Sequence, residues 1–127
     1  SILSAEEHYN AAIGLNMNYW GIDDQAAIDA YLAQESVAYG TADGAWNEKI
    51  GRQKWVALYM QGYEGWAEYR RLDFGLLQEC ADGALQGDGS VPARFEYPID
   101  EQTLNNANWS EASAGQSWND NMWWDVN

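Results

Sequence analysis

Cysteine and histidine are nearly absent from this 127-residue chain, which contains one of each. A single cysteine, Cys80, cannot form an intramolecular disulfide or a cysteine-based metal cluster, so cysteine usage does not identify a redox compartment. The single histidine, His8, has no companions at the spacings typical of a zinc site or a general base. We therefore expect no bound metal and no cofactor.

Basic residues are also scarce, with 6 Lys and Arg against 20 Asp and Glu and a formal net charge of −14. This charge repels phosphate backbones and anionic lipid surfaces, which argues against nucleic-acid binding and favours a neutral partner. The chain also lacks an apolar run of roughly 20 residues, the length that a transmembrane helix needs. It begins at Ser1 and enters a predicted helix at once, so we expect a piece of a longer protein.

Aromatic residues, by contrast, are abundant, with 8 Trp and 8 Tyr. The most informative stretch is 53–71, QKWVALYMQGYEGWAEYRR, in which aromatic residues recur at helical spacing. This aromatic stripe consists of Trp55, Tyr59, Tyr63 and Trp66. Aromatic faces suit sugar rings, but side chains at helical period more often pack in a core, so we predict that the stripe is core. The same prediction is made for Trp20, Trp123 and Trp124.

Helix signals divide the chain into a helical first part and an irregular second part. Ser4 with Glu7 three residues later forms a capping box at the start of the first predicted helix. Gly and Pro residues punctuate 73–127, which we predict to be irregular. The fold class is therefore mainly α, with three main helices followed by a loop-rich tail. The predicted helices cover about 4–20, 23–39 and 45–72.

A series of short motifs then resembles one known family. The series opens with a Tyr-Trp-Gly at the end of a helix. The matched positions are Tyr19, Trp20 and Gly21; Ile50, Gln53, Lys54 and Trp55; Gln61, Gly62, Glu64, Trp66, Arg70 and Arg71; Pro92, Arg94, Phe95, Tyr97, Pro98, Glu101 and Asn105; and Trp123, Trp124 and Asp125. In this order they resemble the C-terminal part of the SusD/RagB family of outer-membrane nutrient-binding lipoproteins. Two departures are Leu72–Gly75, where a Gly-Tyr-Pro-like turn is frequent, and Ala93, where a further Arg is common.

The resemblance implies the C-terminal portion, 1–127, of a SusD-like, tetratricopeptide-containing helical fold whose N-terminal portion is missing from this chain. It implies a surface lipoprotein of a Gram-negative outer membrane, with the lipid anchor outside this chain. Such a protein binds oligosaccharide or another neutral nutrient for import through a SusC-like TonB-dependent transporter, and catalysis is not expected. The motif residues are implied to be structural. They include Trp20, Gln53, Trp55, Glu64, Trp66, Arg70, Arg71, Pro92, Arg94, Trp123 and Trp124.

Trp46, Trp109 and Trp118 lie outside the positions that the family pattern fills. Loops held by a rigid scaffold leave aromatic rings partly exposed, so these three are the predicted ligand-binding residues. Packing of the irregular tail is the alternative interpretation for each of them.

Other functions remain as alternatives. Within the family the alternative is peptide capture, and outside it a helical protein-interaction module or a glycoside hydrolase with two facing carboxyl groups. Glu64 with Arg70 and Arg71 is predicted to form a structural ion network. The oxygen-rich segments 82–90 and 119–121 could offer ligands to calcium as an alternative, but they do not have EF-hand spacing and are predicted to be solvated turns.

Overall fold

The computed structural model describes residues 2–75, 77, 91–114 and 120–124. The chain divides into unit 1, Ser1–Gly75, and unit 2, Leu76–Asn127. Within the described ranges every regular element is an α-helix, which confirms the predicted mainly α class. Unit 1 contains α1 (Ala5–Tyr19), α2 (Gln25–Leu32), α3 (Trp46–Ala57) and α4 (Gly62–Leu72), and unit 2 contains α5 (Ile99–Leu104) and α6 (Asn106–Ala112).

Helix α1 begins as the capping box predicts. The Glu7 backbone N–H donates to Ser4 Oγ at 3.2 Å, and the Ser4 N–H donates to Glu7 Oε2 at 2.7 Å. These two bonds satisfy donors that the first turn of a helix would otherwise leave unpaired. The helix ends at Tyr19, in agreement with the predicted range of about 4–20.

Helix α2 is shorter than the predicted range 23–39, because it ends at Leu32 and is followed by turns. The turns direct the Val37 carbonyl toward α1, where it accepts a 2.8 Å hydrogen bond from the Tyr9 hydroxyl. In a continuous helix that carbonyl would accept from the N–H of Thr41, which donates instead to Ala38 O at 3.0 Å. The segment after Leu32 is therefore not helical, and in it Val37 is buried and bonded to Tyr9.

The predicted helix 45–72 is two helices, α3 and α4, joined by a turn at 58–61. Met60 has φ 69°, a left-handed conformation that a continuous α-helix does not allow. The two helices pack against each other, since Lys54 Nζ lies 2.8 Å from Glu68 Oε2. Gly65 faces the Trp55 ring, and a Cβ at that position would lie 3.1 Å from Trp55 Cζ3. The small Gly65 therefore permits the close approach that the hairpin needs.

The core of unit 1 is built from α1, α2, α3 and the turns after α2. Tyr9, Ile13 and Val37 are buried together, and the Tyr9 and Tyr39 ring centroids are 5.3 Å apart. Burial raises the pKa of the Tyr9 hydroxyl. The partly buried side chains against this core are Met17, Tyr31, Leu32, Tyr39 and Ile50.

A second packed region closes the end of unit 1. Phe74 is buried so tightly against α3 that a Cβ at Gly51 would lie 2.3 Å from Phe74 Cδ1. The Tyr69 and Phe74 ring centroids are 5.1 Å apart, and Asn47 Nδ2 donates to Leu72 O at 2.7 Å. These contacts connect the start of α3 to the end of α4.

Unit 2 corrects the prediction of an irregular, loop-rich 73–127, because it contains α5 and α6, neither of which was predicted. Pro98 precedes α5, and Asp100 and Glu101 lie in its first turn, where negative charge stabilises a helix. No helix among the described residues is both long and apolar enough to cross a bilayer.

Candidate functional site

The aromatic stripe does not form a core within this chain. Trp55, Tyr59 and Tyr63 are exposed, because the break after Ala57 removes the single continuous helix face that the prediction assumed. Trp66 is half-buried, with the Arg70 guanidinium 4.3 Å from its ring centroid.

Three further tryptophans correct the same prediction. Trp20, Trp123 and Trp124 were predicted to be core, and all three are exposed in the described chain. Family motif positions therefore supply much of the exposed aromatic surface.

Three exposed aromatic residues, two of them in the Tyr-Trp-Gly motif, come together at one place in unit 1. The Trp20 ring centroid lies 5.4 Å from that of Tyr19 and 6.1 Å from that of Tyr59, both in edge-on arrangements. We call Tyr19, Trp20 and Tyr59 the exposed aromatic cluster. Their side chains are 79%, 50% and 66% exposed, respectively. The cluster is a contiguous exposed aromatic surface within the described part of unit 1.

Helix ends position the rings of this cluster. Trp20 caps α1, and its backbone N–H donates to Asn16 O at 3.2 Å and to Met17 O at 3.1 Å. Gly21 takes φ 83°, a left-handed conformation that suits glycine and ends the helix there. Tyr59 lies in the α3–α4 turn, where its N–H donates to Val56 O at 3.2 Å. Backbone hydrogen bonds therefore fix the positions of the main chain at Trp20 and at Tyr59.

The three tryptophans that were predicted to bind ligand differ in position and exposure. Trp46 is the first residue of α3 and is exposed. Trp109 lies in α6 of unit 2 and is half-buried, and Ser113 Oγ donates to its backbone carbonyl at 2.6 Å. Trp118 lies outside the described residues, as do Cys80 and Asp125.

Two basic residues of the stretch 53–71, Lys54 and Arg71, form ion pairs within the fold. Arg71 Nη2 lies 2.6 Å from Glu68 Oε2, and Lys54 reaches the same oxygen from α3. The ion network is centred on Glu68 with Arg71 and Lys54, so of the predicted set of Glu64, Arg70 and Arg71 only Arg71 is one of these three residues. The hydrogen bond from Arg71, together with Lys54, lowers the pKa of Glu68 despite some desolvation. The family residue Gln53 also has a structural contact, since its Oε1 accepts from the Tyr31 hydroxyl at 3.0 Å.

Among the described residues, no group of three or more His, Cys, Asp or Glu could hold a metal ion. The predicted calcium alternatives at 82–90 and at Asn119 lie outside the described residues. The pKa values of Glu7 and Glu68 are both lowered, the direction opposite to that of a general acid.

Residues 2–98 match the model of a SusD-like family described as starch-binding and associating with the outer membrane. The match covers more than half of the chain and includes the motifs from Tyr19 to Pro98. The chain belongs to the SusD-like family. The predicted resemblance is thereby confirmed.

Two solved structures are similar to this SusD-like chain. One, named Bacteroidetes AC2a SusD-like, has a TM-score of 0.81 and 28% identity, and the match covers 100% of this chain and 27% of that chain. The other, named a chitin-binding protein, has a TM-score of 0.74 and 30% identity, with coverage of 99% and 29%. The chain thus spans under a third of the length of either. No curated protein sequence matches it.

Sequence reasoning named Trp20 and Tyr59 but assigned both to the core, so it missed the cluster. One available signal was position: Trp20 stands beside a helix-ending Gly21, where a ring projects from a turn. Tyr19 had no signal of its own beyond its place in the Tyr-Trp-Gly motif.

Proposed function

We propose that this chain is part of a cell-surface protein that binds oligosaccharide without cleaving it. The observation that carries the proposal is that a SusD-like chain exposes a contiguous cluster of aromatic rings. Aromatic faces pack against the apolar faces of pyranose rings while hydroxyl groups at the rim form hydrogen bonds. The starch and chitin named for the family and for one similar structure are both neutral glycans.

Charge supports a neutral ligand. The chain carries a net charge of −14, so a sulfated or uronic-acid glycan would meet long-range repulsion. None of the side chains in the exposed aromatic cluster is a cation that would offset this repulsion.

The cellular setting belongs to the same proposal. The full-length protein is an outer-membrane lipoprotein that passes its ligand to a SusC-like TonB-dependent transporter. The association with the outer membrane in the family description supports this setting.

Trp46 and Trp109 remain proposed ligand contacts beside this function, since Trp46 is exposed and Trp109 is half-buried in its unit. Trp118 remains a proposal from its sequence position alone.

Isothermal calorimetry of the full-length protein against starch-derived, chitin-derived and acidic oligosaccharides, with a peptide panel beside them, tests the function. We expect heat of binding with neutral glycans and none with peptides. Binding of peptides alone would replace the glycan proposal with peptide capture. Mass spectrometry of the recovered glycan should show unchanged chain length, and shorter products would establish hydrolysis.

A further inference from the structure

We propose that the Asp43–Gly44 peptide is a site of spontaneous isoaspartate formation and that Arg52 promotes the rearrangement. The site lies in the connection between α2 and α3, where an aspartate is followed directly by a glycine. Glycine has no Cβ to hinder the approach of its amide nitrogen to the preceding side chain. Every group that takes part lies within residues 43–52, so the reaction depends on local geometry and not on the exposed surface of unit 1.

The nucleophile of the reaction is the backbone nitrogen of Gly44. Within the described residues its N–H donates to no acceptor, and the Asp43 carboxyl group likewise has no hydrogen-bond partner. Neither reacting group therefore has to give up a hydrogen bond. Gly44 takes φ 89°, and the Glu48 carboxyl group fills the space where a Cβ at residue 44 would lie, so a larger residue would not fit this backbone.

Arg52 supplies positive charge at the same peptide group. Its Nη1 donates to the Asp43 carbonyl oxygen at 3.3 Å, and that oxygen belongs to the amide that contains the Gly44 nitrogen. Arg52 forms no ion pair with a carboxylate of the described chain, where its Nε is also buried without a partner. A cation beside the carbonyl stabilises the negative charge that spreads onto the oxygen when the nitrogen is deprotonated. Arg52 should therefore make the Gly44 nitrogen easier to activate.

Water is the only co-reactant of the rearrangement. The Gly44 nitrogen bonds to Cγ of the protonated Asp43 carboxyl group, and the amide proton leaves with the carboxyl hydroxyl as water, which gives a five-membered succinimide. Water then adds to one of the two imide carbonyls. Addition at Cγ restores aspartate. Addition at the main-chain carbonyl breaks the bond from that carbon to the nitrogen, which regains its proton, and leaves isoaspartate.

The product places a new charge beside Arg52. In isoaspartate the chain continues through Cγ, and the former Asp43 carbonyl carbon becomes a free carboxylate. The oxygen that accepts from Arg52 Nη1 then belongs to that carboxylate, so a bond to a neutral carbonyl becomes one between opposite charges. Arg52 should thus also favour isoaspartate over aspartate when the succinimide opens. An isoaspartyl residue is the substrate class of protein carboxyl methyltransferases.

Ageing of the full-length protein at physiological temperature, followed by peptide mapping, tests the site. Endoproteinase Asp-N cleaves before aspartate but not before isoaspartate, so cleavage between Ala42 and Asp43 should be lost with time while the mass of this segment stays unchanged. Transfer of labelled methyl groups to the same peptide by an isoaspartyl methyltransferase should rise in parallel. Full retention of cleavage before Asp43, with no methylation there, would overturn the proposal.

Other aspartates in the same digest serve as internal references. Asp29 lies inside α2 and is followed by an alanine, so it should remain aspartate throughout. The sequence has two further Asp-Gly pairs, at Asp82 and Asp88, which lie outside the described residues. Peptide mapping assigns any isoaspartate formed there to its own position. Isoaspartate at Asp29 as fast as at Asp43 would overturn the claim of a specific site.

Two substitutions test the mechanism. Asp43→Glu keeps the charge but would need a less favourable six-membered imide, so it should abolish methylation at this position, and persistent methylation would overturn the site. Arg52→Gln removes the cation and should slow isoaspartate formation by about threefold or more. Lys49→Gln is the matched control on α3, since Lys49 donates to Tyr39 O, and it should keep the wild-type rate. An unchanged or faster rate in Arg52→Gln would overturn the role of Arg52.

Discussion

Two tyrosines on α1 have opposite environments, and the difference separates structure from surface chemistry in this chain. Tyr9 is 7% exposed, donates its hydroxyl to Val37 O at 2.8 Å and packs its ring against Tyr39. Tyr19, ten residues later on the same helix, is exposed and has its ring beside Trp20. The amino-acid type is identical, so the neighbours of each ring decide its role.

The comparison extends to the two clusters that these tyrosines belong to. The buried cluster joins α1 to the turns after α2, and the exposed aromatic cluster joins the end of α1 to the α3–α4 turn. Removing a side chain from the first should lower stability, whereas removing one from the second should lower ligand affinity. Substitutions in the full-length protein test this separation.

The largest effect is expected for Ile13→Ala, which empties part of the buried cluster on α1. Loss of a buried isoleucine costs about 2–5 kcal/mol, since apolar burial is lost and a cavity remains. Leu15→Ala, two residues away on an exposed side chain, is the control and should change the free energy of unfolding by less than about 0.5 kcal/mol. Urea denaturation measures both, and equal effects would break the comparison.

The second largest loss of stability is expected for Gly51→Ala. The added Cβ would lie 2.3 Å from Phe74 Cδ1, and Phe74 is buried, so the ring or α3 must shift. Overpacking of this kind costs about 1–3 kcal/mol. Gly62→Ala, where a Cβ meets nothing within 4 Å, is the matched control on α4 and should not destabilise. Guanidinium denaturation of the two variants measures the difference, and a stable Gly51→Ala would refute the tight contact.

Tyr9→Phe should have a smaller effect, because it keeps the ring and removes only the hydroxyl bonded to Val37 O. The expected loss is about 0.5–1.5 kcal/mol, the net contribution of a typical intramolecular hydrogen bond. Tyr19→Phe, on the exposed side, should leave stability unchanged. Thermal unfolding of both variants separates them, and a larger loss for Tyr19→Phe would reverse the assignment of the two clusters.

The smallest effect concerns the ion network on the α3–α4 hairpin. The pKa of Glu68 lies below its ordinary value of 4.5, because Arg71 and Lys54 stabilise the carboxylate. A lowered folded-state pKa gives stability that is present above pH 4.5 and is lost as the pH falls through the folded value. The partners are partly exposed, so the contribution is about 0.2–1 kcal/mol.

Glu68→Gln should therefore remove part of the pH dependence of unfolding below pH 4.5 and leave the rest of the curve in place. Glu64→Gln is the control on the same helix. Equal pH dependence in Glu68→Gln and wild type would show that the network does not contribute to stability.

Patterns along the sequence predicted the helical class, the capping box at Ser4 and the family. They failed where tertiary contacts override local preference. Helical period alone predicted one helix at 45–72, but Met60 takes a left-handed φ that breaks the helix, and the contact between Gly65 and Trp55 stabilises the resulting hairpin. The turns that follow α2 place Val37 O where it accepts from Tyr9, a residue far away in the chain.

The candidate site was harder to predict for a related reason. Helical period reports that residues share a face, but it does not report what that face meets, so Tyr59 was predicted to be core. The exposed aromatic cluster also joins two segments, and only the folded chain brings Trp20 to Tyr59. Trp46 was predicted to be accessible for its position outside the motifs, and it is exposed.

The most direct test of the separation is the ligand-induced change in unfolding temperature, measured for the wild-type full-length protein, Tyr9→Phe and Trp20→Ala with one neutral oligosaccharide. Ligand at a hundred times its dissociation constant stabilises the native state by about 2.7 kcal/mol. We expect wild type and Tyr9→Phe to show the same upward shift in unfolding temperature, and Trp20→Ala to lose most of it. A full shift in Trp20→Ala, or loss of the shift in Tyr9→Phe alone, would contradict the separation of the two clusters.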